Sequence, residues 1–318
     1  MFSRTDAETL RDQLPLLDLA AAAYTSELAT RYREHYALHV EQPDIIHRLG
    51  VFESDEFRLV AQHFQVPPER CKGTAILLHG YYDHVGLFGH LIRHCLSEQL
   101  SVLIFDLPGH GLSTGEPASI DSFERYSSAF LNLCQLETVQ GLPRPWFAIG
   151  QSTGSATIID SILHHELQKR LHFKQIVLLC PLLYPVQWGK SKFLYHLARP
   201  FLKSIVRGFA KNSHDEKFLD FLKHRDALQC RVLPTAWVGA MIDYHNRFRL
   251  SPAQDVALNI VQGTADRTVE WRKNLPLIEE KFSSTTTHLI DGARHHMVNE
   301  SERYRSAIFL QVSRILFE

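Results

Sequence analysis

The chain has 318 residues, 45% hydrophobic and 22% charged, with a formal net charge of −1. That composition suits a globular protein with a full core, and the near-zero charge gives no global field toward nucleic acid. No stretch is apolar and long enough to predict a transmembrane helix, and residues 1–11 carry acidic residues without an apolar h-region, so no secretory signal is expected.

Five dispersed cysteines (Cys71, Cys95, Cys134, Cys180 and Cys230), none in a C-x-x-C pair, predict reduced thiols and a cytoplasmic location. Nineteen histidines are many, but no H-E-x-x-H or comparable ligand spacing occurs, so neither a metal nor a cofactor is expected.

Leu10, Leu14, Leu17, Leu19, Ala23, Leu28 and Tyr32 give residues 6–40 a helical apolar stripe, which Pro15 interrupts or restarts. Residues 1–43 are therefore expected to be a helical extension. Residues 44–52 and 57–66 read as an antiparallel edge hairpin turning at Glu53–Glu56. The continuous apolar runs 74–78, 102–105, 146–149 and 176–180 read as buried strands, with helices over 86–98, from Asp121 to Leu136, and after residue 152. Asp121 with Glu124 reads as the capping box of the second of these helices. Strands resume at 257–261 and 286–290, and a helix over 301–316 closes the chain. Buried strands alternating with helices predict an α/β fold, a mostly parallel central sheet covered on both faces. Between 182 and 254 the strand pattern pauses in a helical, aromatic insertion, with Pro200 and Pro234 as breaks, at the strand ends where α/β proteins bind ligands. The core is then 44–181 plus 255–318.

The chemistry centres on residues 146–163. Gly150-Gln151-Ser152-Thr153-Gly154 follows a strand without spacer and opens a helix, the setting of a nucleophile elbow. A Cβ at Gly150 or Gly154 would collide with a neighbouring strand or helix. A serine hydroxyl needs a base and a carboxylate to orient that base, and in an elbow fold these come in the order serine, acid, histidine, each just beyond a strand end. Asp266 and His295 occupy such positions. His296 is also a candidate by position, and Asp291 is a rival acid that lies too near His295 in sequence for the pattern.

These residues carry a resemblance. His79-Gly80-Tyr81-Tyr82-Asp83-His84 is similar to an H-G-x-x-[ED]-H segment, Asp106 to Ser113 to D-x-x-G-H-G-x-S, and Gly292 to Glu300 to G-A-x-H-x-x-x-N-E. With the elbow, they resemble the α/β-hydrolase superfamily, and within it the serine hydrolases that include bacterial lysophospholipases and monoacylglycerol lipases. The likeness covers 74–316 except the divergent 182–254. It implies an α/β-hydrolase fold with a helical cap over 182–254 and aligns the base with His295, leaving His296 a partly exposed neighbour. The oxyanion hole would be the backbone N–H groups of Tyr81 and Thr153, where relatives often carry Met at the second position. His79, His110, Asp83 and His84 are expected to fix loops, and Cys180 to pack.

The implied activity is hydrolysis of a carboxylic ester through an acyl-enzyme, on a medium- or long-chain lysophospholipid or monoacylglycerol. A short-chain esterase or an aminopeptidase on the same fold is the alternative, and a non-catalytic ligand binder a third. A peptidase should present cap carboxylates to a free amino terminus. Val186 to Lys211 has none, whereas Asp215, Glu216 and Asp220 follow later. That stretch instead holds Lys190, Lys192, Arg199, Lys203, Arg207 and Lys211 among Trp188, Phe193, Tyr195, Phe201 and Phe209. Such a segment either packs its aromatics over the pocket or contacts an anionic membrane surface, which would place the protein at the inner face of the membrane.

Overall fold

The computed structural model describes residues 2–40 and 42–318. Eight strands form one sheet: β1 (Ile46–Ser54), β2 (Phe57–Gln65), β3 (Thr74–Leu78), β4 (Ser101–Phe105), β5 (Trp146–Gln151), β6 (Phe173–Leu179), β7 (Leu258–Gly263) and β8 (Thr285–Ile290). Their spatial order is β1-β2-β4-β3-β5-β6-β7-β8. β1 and β2 run antiparallel, as do β2 and β4, and every other neighbouring pair is parallel. This is the α/β-hydrolase fold.

The central strands are continuous apolar runs because both faces are covered. Ala75, Leu77, Val102, Ile104, Phe147 and Ile149 point toward helices Gly89–Ser97 and Glu302–Phe317. Ile76, Leu78, Leu103, Phe105 and Ala148 point the other way, toward helices Phe123–Gln135, Thr153–His165 and Thr235–Leu250.

Several local expectations are corrected. The first is the helical reading of residues 6–40 on both sides of Pro15. Helix Arg4–Gln13, capped by Ser3 with Asp6, and helix Glu27–His35, capped by Ser26, flank an extended passage. There the chain pairs with the sheet edge: Leu17 N donates to Val51 O at 2.7 Å, and Val51 N to Pro15 O at 2.8 Å. Pro15 breaks the helix, and an edge strand with unpaired groups takes up the freed backbone. Gly50 permits the approach, since a Cβ there would stand 2.6 Å from Leu17 Cα. Second, the hairpin turn is shorter than expected, with Asp55 left-handed at φ 51 and Ser54 paired to Phe57. Third, Ser122 rather than Asp121 caps helix Phe123–Gln135, its hydroxyl accepting from Glu124 N, while Asp121 pairs with Arg125. Fourth, the expected helix over 86–98 divides into a 3-10 turn, Val85–Leu87, and helix Gly89–Ser97.

Between β6 and β7 the chain inserts helices Trp188–Ala198, Glu216–His224 and Thr235–Leu250. It is not wholly helical: Ser204–Val206 and Val232–Pro234 pair as an antiparallel ribbon. Helix Thr235–Leu250 seats the insertion on the core, with Tyr244 stacked on Phe123 and Arg247 paired with Asp160 and Glu124.

Candidate active site

β5 runs into helix Thr153–His165 through Ser152, whose backbone is held at φ 53 and ψ −108. Glycines make this turn possible. A Cβ on Gly150 would lie 2.6 Å from the Gly154 carbonyl carbon, inside the helix that follows. A Cβ on Gly154 would fall on the Leu78 carbonyl oxygen at the end of β3. The helix N-terminus places positive dipole charge at the serine.

Ser152, His295 and Asp266 meet at the carboxyl ends of β5, β8 and β7. Ser152 Oγ lies 2.9 Å from His295 Nε2, and His295 Nδ1 lies 2.7 Å from Asp266 Oδ2. All three are buried. Asp266 accepts further hydrogen bonds at Oδ1 from Thr268 N and Val269 N and at Oδ2 from Gln262 Nε2. Burial would raise the Asp266 carboxyl, but the His295 charge, its hydrogen bond and the two backbone donors hold it below its ordinary value. Burial would lower His295, yet the charge and hydrogen bond of Asp266, with the charge of Asp83, carry it above the usual imidazole value.

His296 is not a partly exposed neighbour. It is buried, with Nε2 2.9 Å from Asp83 Oδ1 and Nδ1 accepting from Gln151 Nε2 at 3.4 Å. The adjacent histidines thus face opposite ways, one to the serine and one to the loop after β3. Burial opposes the charge on Asp83, but His296, by charge and hydrogen bond, brings the carboxyl down to about 2. Gln151 also accepts from Val298 N and so ties the elbow to the loop after β8. Asp291 takes no part in the cluster and accepts from Thr264 Oγ1.

The loop after β3 runs beside the serine: a Cβ on Gly80 would stand 3.5 Å from Ser152 Cβ. Tyr81 follows Gly80, and Thr153 opens the helix on the other side. His79 accepts from Leu107 N at Nε2 and donates from Nδ1 to Gly80 O, while His110 donates from Nδ1 to Pro108 O. Burial lowers them to about 3 and about 4, so both are neutral loop-fixing groups.

Four contributors to this region come from the insertion, and of these only Arg207 stood out in the sequence, as part of the basic aromatic stretch, because 182–254 carries no recognisable motif. Trp237 stacks on Tyr81 at 3.9 Å between ring centroids. Gln229 Nε2 donates to Tyr82 O at 3.2 Å, and the Arg207 guanidinium lies 3.7 Å over the Tyr82 ring. Asp226 is buried against His84 Nε2 at 3.3 Å and accepts from Tyr36 Oη at 2.9 Å. Core, insertion and N-terminal extension therefore share one buried carboxylate.

Cys180 is buried in left-handed backbone, φ 45, beside Asp266 rather than on the serine, and burial raises its thiol well above the ordinary value. Its sulfur, Asp266 and His295 form a three-donor grouping that could hold a metal ion among the described residues, but the last two are already bound to each other.

A family model described as serine aminopeptidase, S33, matches residues 69–302. Human monoglyceride lipase is 25% identical over 255 residues, 76% of this chain and 81% of the relative, and the rat monoglyceride lipase is 24% identical over the same length. A soluble variant of the Saccharomyces cerevisiae monoglyceride lipase, solved with a substrate analogue, superposes with a TM-score of 0.72 at 16% identity, covering 88% of this chain and 97% of that one. Paleococcus ferrophilus monoacylglycerol lipase gives 0.66 at 22% identity, covering 81% and 98%.

Proposed function

The chain belongs to the S33 serine aminopeptidase family and is a carboxylic ester hydrolase, and we propose that it works through Ser152, His295 and Asp266. The observation carrying this reading is the unbroken hydrogen-bonded line from Ser152 Oγ through His295 to Asp266 at the tip of the elbow. Ser152 Oγ attacks the ester carbonyl as its proton passes to His295 Nε2. Asp266 holds Nδ1–H and steadies the imidazolium. The N–H groups of Tyr81 and Thr153 stabilise the oxyanion. The alcohol leaves with the proton from His295, giving an acyl-Ser152 ester. Water then attacks that ester, His295 takes the water proton, and the fatty acid departs as Ser152 recovers its hydrogen.

Residues 182–254 act as the cap in this reading, and the acyl chain lies along its aromatic underside near Tyr81 and Trp237. A medium- or long-chain monoacylglycerol or lysophospholipid fits such a site. Three of the cap carboxylates are engaged within the protein: Asp215 caps helix Glu216–His224, Asp226 serves His84 and Tyr36, and Asp220 pairs with Arg225, while Glu216 is exposed on the first turn of that helix. Part of the cap's apolar surface faces outward and is proposed to rest on an anionic membrane, in keeping with a place at the inner face of a cytoplasmic membrane.

Hydrolysis of p-nitrophenyl esters from acetate to palmitate tests the reading. Turnover should rise with chain length and fall by at least about 10³-fold in Ser152→Ala. A maximum at acetate would replace it with a small-ester enzyme. Failure of a fluorophosphonate to label Ser152 would remove the serine mechanism.

A further inference from the structure

Between residues 210–214 of the insertion and the loops after β7 and β8 lies a hollow of about 440 Å³. His295 forms part of its wall. Lys211, Arg267 and Arg294 line it, and no lining residue is a carboxylate. Arg294 is half-buried and donates from Nη1 to Ser213 O at 2.7 Å, so its guanidinium is fixed as wall. Lys211 and Arg267 are exposed and have no ion-pair partner among the described residues. The nearby acid, Glu300, is already engaged by His214 and by the backbone N–H groups of His214, Arg294 and Ser301. The Asn212 amide oxygen is buried without a partner and can accept from a hydroxyl.

We propose that this hollow is a subsite for a phosphate carried on the alcohol half of the ester, so that the substrate is a glycerol ester bearing a phosphate, a lysophospholipid, rather than a neutral monoacylglycerol. The proposal rests on the ester-hydrolase reading. In that chemistry His295 returns its proton to the departing alcohol, so the alcohol half must lie against His295, where the hollow begins. A phosphate at the far end of the glycerol then meets guanidinium groups whose planar donors suit its oxygens. A neutral glycerol would bring no anionic group to the exposed Lys211 and Arg267.

Lysophosphatidylglycerol and monoacylglycerol of equal chain length, each dispersed in neutral detergent micelles, provide the test. The native protein should favour the phosphate ester in kcat/KM. Lys211→Gln with Arg267→Gln should cut that preference by at least about tenfold, through a loss in kcat/KM on the phosphate ester that monoacylglycerol does not share. Lys190→Glu with Lys192→Glu, outside the hollow, should retain the preference, which separates the subsite from general attraction of the cap to anionic micelles. Equal turnover of the two esters, or a preference undiminished in the first double variant, would overturn the proposal. Inhibition by inorganic phosphate without any preference between the esters would also overturn it, assigning the hollow to a free anion. Calorimetric binding of both lipids to Ser152→Ala runs in parallel. Were neither ester hydrolysed by the native protein, the hydrolase reading would fall, and the two affinities would still decide the phosphate preference.

Discussion

His295 governs the expected pH profile. As the proposed base it acts only when neutral, and Asp266 holds its pKa above that of an ordinary imidazole. Activity should therefore fall as pH drops through a value higher than free imidazole would give. In Asp266→Asn the raising charge is gone, so the acid limb moves to lower pH, and kcat should fall about 10⁴-fold, the scale seen when a triad aspartate is neutralised in serine proteases. A kcat/KM–pH profile on a short ester reads both effects. The neighbouring histidine was legible only in part. The doublet His295–His296 offers two imidazoles, and nothing in its composition says that one turns to Ser152 while the other is buried on Asp83. That division depends on how the loop after β8 meets the loop after β3.

At the scale of elements, the elbow and the Asp226 clasp make separate predictions. Gly154→Ala places a methyl on the Leu78 carbonyl, where the obstacle is backbone and cannot swing aside. The variant should lose about 1–3 kcal/mol in urea unfolding and label more slowly with a fluorophosphonate. Asp226→Ala leaves the buried His84 and Tyr36 without their shared acceptor and should cost about 3–5 kcal/mol. Burial would lower His84, but Asp226 by charge and hydrogen bond raises it, and burial would raise Asp226, but His84 holds it down. The His84 contribution is thus complete below the unfolded imidazole pKa and lost as pH rises through its higher folded value. The Asp226 contribution is complete above the unfolded carboxylate pKa and lost as pH falls through its lower folded value. Between these limits the pair stabilises most, and the deficit of Asp226→Ala against the native protein, followed by unfolding across pH, should be greatest there.

Over the whole molecule, the insertion sorts its apolar residues by direction. Trp188 is buried, whereas Phe193 is 65% exposed, Phe201 85% and Val206 84%. The proposed membrane contact would use these exposed apolar side chains together with the cations of the same segment. No helix among the described residues is long and apolar enough to cross a membrane. Cosedimentation with vesicles should require anionic lipid, weaken as salt rises, and be lost in Phe201→Glu with Val206→Glu. Binding indifferent to lipid charge would remove the membrane from the functional reading.

What the amino-acid sequence alone determined is what local chemistry records. Continuous apolar runs at 74–78, 102–105 and 146–149 mark strands covered on both faces, the G-x-S-x-G turn marks the elbow, and short polar motifs at strand ends mark Ser152, Asp266 and His295. Each is a pattern over a few neighbouring residues, dictated by backbone geometry and periodic burial. Tertiary structure decided the rest: residues 15–17 leaving a helical stripe to pair with the sheet edge, His296 turning inward, Asp226 joining the N-terminal extension to the core, and the cations gathering beside His295. Those contacts join segments distant along the chain. Which of them meet is set by how loops close over the sheet, and that closure leaves no periodic trace in sequence.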